Sequence, residues 1–360
     1  MSTVLDLARP ELRSLRPYVP GAYEPGCVRL NANESPWRAP GDTTERGLNV
    51  YPPPRPWALR ERLAAHYGAR ENELLVTRGS SEAIDVLIRG FCRAGLDKVL
   101  ICPPTFDMYR VYATIQGAGI LSVPLRREAG FALDAAAVLD AVDDGTKIVF
   151  LCTPNNPTGH SAPRADVEAI CEALAGRALV VVDEAYHEFA DAPNYLELRQ
   201  RHEHVVLLRT LSKFVSLAGV RCGALIAAPE VVEFLGNVLP PYTFPTPSIE
   251  LVLKALTRDS LRVSEERVAL LKRERARLGE ALLDAPQVRE VYPSDANFVL
   301  VRTNDGPYFR ETAHRAGILV RTFDDDLLAD CVRITVGRPS DNDRLLKAVS
   351  GAERERFDDA

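Results

Sequence analysis

The chain has 360 residues, 46% of them hydrophobic and 26% charged, the balance of a globular protein with room for one large core and a smaller second unit. A formal net charge of −6 excludes a broadly basic surface, and with it general binding of nucleic acid or anionic membranes. Seven cysteines without a Cys-x-x-Cys pair, mostly set in apolar runs such as Val99-Leu-Ile-Cys102, read as free thiols in a reducing cytoplasm, not as disulfides or zinc ligands.

The start, Met1 to Pro10, carries an early acid and no long apolar region, so no signal peptide is expected, and no run nears the length of a membrane helix. Residues 1–40 are rich in Pro and Gly, show little periodicity, and are expected to form an arm that lies on something else. The arm holds Tyr18 and Asn31-Ala-Asn-Glu-Ser-Pro36, and Tyr51-Pro-Pro-Pro54 comes shortly after; solvated loops favour the same residue types. Leu59, Leu63 and Tyr67 predict a helix over 57–67. Glu73 to Phe91 reads as a short strand, a glycine, two serines and a helix whose Ile84, Leu87, Ile88 and Phe91 share one face. Ser80 or Ser81 suits the cap of that helix, and its free N–H groups and positive dipole end suit a phosphate.

Lys98-Val-Leu-Ile-Cys102 is a buried strand stopped by prolines, which leaves Phe106 at its mouth, either to stack on a planar ring or to pack in the core. Further strands over 119–124 and 146–152, with helices at about 133–142, 164–176 and 193–203, predict a mostly parallel sheet covered on both faces. Ligands in such sheets bind beyond the carboxyl ends of the strands. Three of those ends carry polar groups. Cys152-Thr-Pro-Asn-Asn-Pro-Thr-Gly159 is an amide-rich turn holding Asn156; Leu179-Val-Val-Val-Asp183 ends in an acid, with Tyr186 just beyond it; Val205-Val-Leu-Leu208 delivers Thr210-Leu-Ser-Lys213, flanked by Ser212 and Arg221. A lysine at the end of a buried strand is expected to be paired, or neutral and reactive. Acid, amide turn and lysine form the constellation of a pyridoxal phosphate enzyme.

After a strand at 224–227, the segment Pro240 to Pro247 reads as a mobile or interface connector. A long charged helix at about 261–284 carries an apolar stripe of Val268, Leu271, Leu278 and Leu282. Alternating strands over 297–301, 317–321 and 331–336 predict an α+β unit whose sheet exposes one face. Arg321 and Arg333 interrupt two of them, where an unpaired guanidinium is expensive. The expected organisation is an arm over 1–40, a large domain over 41–258 and a small domain over 259–360. Gly117-Ala-Gly119 precedes a strand and opens no helix, so it is not a dinucleotide fingerprint. His202 and His204 are expected on a solvated face, Asp324 to Asp326 in a hydrated acidic loop, and no metal site is expected; the tail from Arg354 is expected to fray.

Asn31-Ala-Asn-Glu-Ser-Pro36, Tyr51-Pro52, Cys102-Pro-Pro-Thr105, Thr153-Pro-Asn-Asn-Pro-Thr-Gly159, Val182-Asp-Glu-Ala-Tyr186 and Thr210-Leu-Ser-Lys213, in this order, resemble the fold-type I pyridoxal phosphate aminotransferases, and among them the histidinol-phosphate aminotransferase family. The resemblance spans nearly the whole chain, from Arg16 to Gly337. It implies pyridoxal 5'-phosphate as cofactor and amino transfer between histidinol phosphate and 2-oxoglutarate in histidine biosynthesis. It implies that Lys213 holds the cofactor covalently and later moves a proton, that Asp183 pairs with the ring nitrogen, and that Asn156 and Tyr186 bond the phenolic oxygen. Phe106 would stack on the ring; Ser80, Ser81, Ser212 and Arg221 would hold the phosphate, with Tyr51 reaching in from the partner of a homodimer. Arg333 would grip the substrate's anionic group, with Tyr18, Asn33 and Arg321 as further substrate contacts. Phe106 stands where the family commonly has tyrosine and Ser81 where it commonly has aspartate, which bears on ring electronics and substrate preference. An aromatic amino acid transaminase and a phospho-amino-acid decarboxylase of the same fold are the alternatives.

Overall fold

The computed structural model describes residues 4–22, 24 and 27–351; the tail from Arg354 lies outside them. Helix α1 (Trp57–Tyr67) packs on β1 (Leu74–Thr77), which runs into α2 (Gly79–Phe91). Then come β2 (Lys98–Ile101), α3 (Met108–Gln116), β3 (Gly119–Ser122), α4 (Ala135–Ala141), β4 (Thr146–Cys152), α5 (Arg164–Ala173), β5 (Leu179–Asp183), α6 (Leu196–Arg201) and β6 (Val205–Thr210). Next, β7 (Gly223–Ile226), α7 (Pro229–Val238) and α8 (Thr246–Ala255) lead to α9 (Arg258–Leu283). The chain closes with β8 (Val288–Tyr292), β9 (Phe298–Thr303), α10 (Gly306–Arg315), β10 (Arg321–Thr322), β11 (Cys331–Thr335) and α11 (Pro339–Gly351).

Among the described residues the strands form two sheets. The larger has the order β1-β7-β6-β5-β4-β2-β3, parallel from β6 to β3, with β7 antiparallel to both its neighbours. Every residue of β5 is buried, because the pleat sends alternate side chains into two different cores. Val180 and Val182 join Leu59, Leu63, Val167 and Ile170 of α1 and α5, while Leu179 and Val181 join Ile84, Leu87, Val231 and Leu235 of α2 and α7. Each such aliphatic side chain contributes about 1.5–3 kcal/mol by leaving water. A strand buried on both faces cannot alternate, which is why these runs are continuously apolar.

The smaller sheet, β10-β11-β9-β8, is antiparallel throughout. The exposed face expected for it is not found. Val299 and Val301 of β9 pack with Leu278, Leu282, Phe309 and Leu345 from α9, α10 and α11, whereas Phe298 and Leu300 turn into the core of the larger body. Helices cover one face and docking covers the other. The strand expected over 317–321 shrinks to two residues, coming after Gly317 with its left-handed φ of 71° at the end of α10. Three elements, α3, α8 and β8, had no sequence expectation.

His204 also departs from expectation. It is 5% exposed, with Nε2 2.8 Å from the carbonyl oxygen of Cys171. It immediately precedes β6, and the strand draws the ring inward to a backbone partner that satisfies it. All seven cysteines are unpaired. No helix among the described residues is long and apolar enough to cross a membrane, and no group of potential metal ligands forms among them.

Register brings the ends of the central strands level with one another. Cys152 of β4 lies beside Asp183 of β5, and Asp183 lies beside Leu208 of β6, so the three polar strand ends open side by side.

Candidate active site

These carboxyl ends face a cavity of about 890 Å³, walled elsewhere by the N-terminus of α2, by Phe106, and by β10, β11 and the loop between them.

The first wall is a cradle for an anion. Gly79 opens α2 at φ 74°, and a Cβ there would meet Nη2 of Arg221 at 2.7 Å. The missing side chain is what lets the guanidinium lie against the helix start. Gly223 is needed in the same way, since its Cβ would meet the backbone of Gly79 at 2.7 Å. Ser80 and Ser81 occupy the first turn, but neither caps the helix; Arg78 stands at the N-cap with no side-chain cap bond. The expected cap is thus absent, and the first-turn N–H groups stay available beside two hydroxyls and a cation. Arg221 donates through Nη1 to Ser212 Oγ at 3.4 Å and to the Ala218 carbonyl at 3.0 Å; no carboxylate among the described residues pairs with it. Ser212 Oγ also accepts from Thr210 Oγ1 at 2.8 Å.

Asp183 is 2% exposed. Its Oδ2 accepts from the Tyr109 hydroxyl at 2.8 Å and its Oδ1 from the Ala185 N–H at 3.1 Å. Burial pushes its carboxyl up to about 6, against the downward pull of those two bonds. Lys213 is half-buried, with Nζ 5.5 Å from the centre of the Tyr186 ring. Desolvation first, then the guanidinium charges of Arg333 and Arg221, hold its ammonium below the ordinary lysine value. Tyr186 in turn meets Phe298 of the smaller sheet edge-on at 5.2 Å.

The amide turn is fixed by its first asparagine. Asn155 Nδ2 donates to the Pro104 carbonyl and to Thr158 Oγ1, both at 2.9 Å, and Thr105 Oγ1 donates to Asn155 Oδ1. The next residue, Asn156, reaches across: its Oδ1 accepts from Nη1 of Arg333, whose guanidinium lies 5.3 Å from the Phe298 ring centre. Arg321 stands directly opposite Arg333 in the β10–β11 register, and both line the cavity. Two guanidiniums facing each other across strands repel.

Two ion-pair groups hold these walls. Arg209 of β6 pairs with Glu184, just past the end of β5, at 3.0 Å, both buried, and lies 3.8 Å from the half-buried Glu188. Arg127, from the larger body, bonds Asp330 Oδ1 at 2.6 Å and the Leu327 carbonyl at 3.1 Å, while Arg302 holds the other oxygen of Asp330 at 2.8 Å.

The structure brings together Ser80, Ser81, Phe106, Asn156, Asp183 and Tyr186, and with them Ser212, Lys213, Arg221, Arg321 and Arg333. Tyr18, Asn33 and Tyr51 are not in the lining of their own chain's cavity. Tyr51 stacks on Tyr242 at 4.6 Å, Tyr18 lines a second cavity of about 750 Å³ beside the Pro240–Pro241 connector, and Asn33 is exposed with φ 55°. Sequence reasoning missed Tyr109, which reads as one more core aromatic. It also missed Arg110 in the lining, and that the acidic loop, exposed as expected, borders the cavity through Asp324 and Asp325. Proximity to Phe106 was the one available signal for the first two.

Known proteins resemble this chain in both sequence and fold. The family model for aminotransferase class I and II matches residues 25–349. A histidinol-phosphate aminotransferase of Xylella fastidiosa is 45% identical over 355 residues, 96% of each chain. One from Stenotrophomonas maltophilia is 46% identical over 352 residues, again 96% of each. The crystal structure of histidinol-phosphate aminotransferase from Sinorhizobium meliloti in complex with pyridoxal-5'-phosphate superposes with a TM-score of 0.77 at 25% identity, over 86% of this chain and 84% of that one. With its strand-end lysine and acid on one cavity, this chain belongs to the aminotransferase class I and II family, among the histidinol-phosphate aminotransferases.

Proposed function

We propose that this protein transfers an amino group between L-histidinol phosphate and 2-oxoglutarate, a step of histidine biosynthesis, using pyridoxal 5'-phosphate. The observation that carries the substrate assignment is the Arg321–Arg333 pair. Two cations set opposite one another on adjacent strands, with no acid between them among the described salt bridges, favour an incoming group of two negative charges. A phosphate monoester meets that demand in one half-reaction and a dicarboxylate in the other.

The residues present fit the cofactor. The uncapped first turn of α2, with Ser80, Ser81, Ser212 and Arg221, suits a phosphate dianion; Phe106 offers a ring face, and Asp183 a buried acceptor for a protonated ring nitrogen. Pyridoxal phosphate supplies, when bound, a carbonyl that exchanges amines and a ring that withdraws electrons from the substrate carbon. The protein does the rest. Lys213, whose ammonium is held below the ordinary lysine value by burial, would take the proton from the substrate carbon and deliver it to the cofactor's former carbonyl carbon, the transfer that moves the amino group. Asn156 and Tyr186 would bond the cofactor's phenolic oxygen, and the bond from Arg333 orients the Asn156 amide. Arg333 and Arg321 fix the anionic end of the substrate so that the reacting carbon meets Lys213.

Solvent-exposed apolar residues along the arm, among them Val28, Leu30 and Trp37 at 78–91% exposure, support a homodimer in which Tyr51 is given to the partner's phosphate cradle. The acidic charge balance and free thiols suit the cytoplasm, without nucleic acid or membrane partners. The helix-covered face of the smaller sheet has a core of its own, which supports setting a small part over 259–360 apart from an arm over 1–40 and a cofactor-binding part over 41–258.

The test is a set of half-reactions on the purified holoprotein, read by its visible absorption. Histidinol phosphate should bleach the cofactor band fastest, and 2-oxoglutarate should restore it. Preference for phenylalanine would instead mark an aromatic transaminase, and carbon dioxide release from phosphothreonine a decarboxylase. Lys213→Ala should lose on the order of 10³-fold or more in turnover, the scale of a lost proton-transfer group; a variant retaining wild-type turnover would overturn the role of this amine.

A further inference from the structure

Tyr109 lies outside the set of groups that reach the cavity, yet it touches two that do. Its ring is fully buried, stacked on Phe150 with centroids 4.6 Å apart and planes 10° from parallel. Its edge meets Phe106 at 5.7 Å and 88°. Its hydroxyl donates to Asp183 Oδ2 at 2.8 Å. One side chain therefore abuts the aromatic beside the candidate ring site and holds the acid at its edge.

Asp183 stands at the last position of β5, and a carboxylate there can turn about its Cβ–Cγ bond. The Ala185 N–H restrains Oδ1. That single bond leaves Oδ2 free to swing, and the phenol supplies the second anchor. Two donors fix the plane of the carboxylate and favour its ionised form, because both bonds are stronger to the anion than to the acid. Each oxygen keeps a lone pair for a further donor. Stacking on Phe150 in turn locks the phenol, so its position does not depend on what fills the cavity.

We infer that Tyr109 is a positioning residue that acts on the cofactor through Asp183, holding the carboxylate ionised and aimed at the ring nitrogen. This rests on the reading of Asp183 as the partner of that nitrogen. Tyr109→Phe removes one oxygen and keeps both ring contacts, so the fold should persist, with a melting temperature that can be measured alongside.

The experiment compares two ligands on the cofactor-depleted protein by fluorescence titration: pyridoxal 5'-phosphate and its 1-deaza analogue, in which carbon replaces the ring nitrogen. In the wild type the natural cofactor should bind more tightly, and the ratio of the two dissociation constants reports the contact between Asp183 and the nitrogen. In Tyr109→Phe that ratio should fall about tenfold, the scale of one hydrogen bond to a charged group, while the deaza affinity stays put. In an Asp183→Asn background the same substitution should change nothing further, because the two residues act as one unit. An unchanged ratio, equal weakening of both ligands, or a full additional loss in the Asp183→Asn background overturns the inference. A wild type that binds neither ligand overturns the cofactor site itself, an outcome distinct from the other three.

Discussion

At the scale of single residues, the site runs on groups moved away from their solution behaviour. Asp183 has its carboxyl pushed up to about 6 by burial, although Tyr109 and the Ala185 N–H oppose the shift. Above that value the group is an anion and can accept from a ring N–H; below it the group takes up a proton that cofactor binding must expel. The dissociation constant for the cofactor should therefore rise as pH falls through 6, by up to about tenfold per unit. Equilibrium titrations from pH 8 to 5 will read this, and Asp183→Asn should flatten the profile. A wild-type profile that is flat over this range would mean that Asp183 does not meet the nitrogen.

At the scale of elements, the ends of strands β5 and β6 are tied by a buried ion pair, Arg209 with Glu184, beside a third charge at Glu188. Arg209 lies between Glu184 and Glu188, and burial pushes the Glu188 carboxyl up to about 7, even beside the arginine. Arg209→Met leaves the buried Glu184 and the half-buried Glu188 without their cation, which should cost roughly 3–5 kcal/mol at pH 8. The deficit should shrink toward pH 5, as the glutamates become neutral by protonation; denaturant unfolding at the two pH values measures it. The tie between the sheets behaves oppositely. Asp330, held by Arg127 and Arg302, has its carboxyl drawn to about 2 from the usual 3.8. Its contribution is present above pH 4 and is lost as pH falls from 4 toward 2. Asp330→Asn should be less stable at pH 7 by about 1 kcal/mol, modest because the pair is partly solvated, and the difference should narrow as pH falls through 3 toward 2.

The same elements explain what could be read without coordinates. Asn156, Asp183 and Lys213 were legible because each ends a continuous apolar run, and such runs in a parallel sheet put their last residues at one edge. Tyr109 was not, since a tyrosine on the buried face of a helix has the pattern of ordinary packing. The face-to-face arrangement of Arg321 and Arg333 needed the β10–β11 register, which no local pattern encodes. His204 was misjudged because its charged neighbours hid a backbone partner on another element. Burial of both faces of β9 was hidden too, since docking between two bodies is a long-range event that period-2 reasoning does not see.

At the scale of the whole molecule, Tyr18 and Asn33 of the arm, and Tyr51 just after it, stand away from their own cavity, while Val28, Leu30 and Trp37 of the arm face solvent. If Tyr51 serves the partner subunit, mixing two weakened variants should restore activity. Lys213→Ala combined with Tyr51→Ala, unfolded and refolded together, yields mixed dimers with one intact site each, or roughly a quarter of all sites under random pairing. Recovery to about that level is expected, and absence of any recovery would place Tyr51 outside the neighbouring site.

The cavity takes its lysine, acid and anion cradle from the larger sheet and its opposed arginines from the smaller one. If those arginines select the substrate, which molecule is accepted can be retuned by editing two short strands and the loop between them, without disturbing the machinery that makes amines exchange. A laboratory search for new amino donors should in that case begin by randomising Arg321 and Phe323, which line the cavity and lie outside the buried core of the smaller sheet.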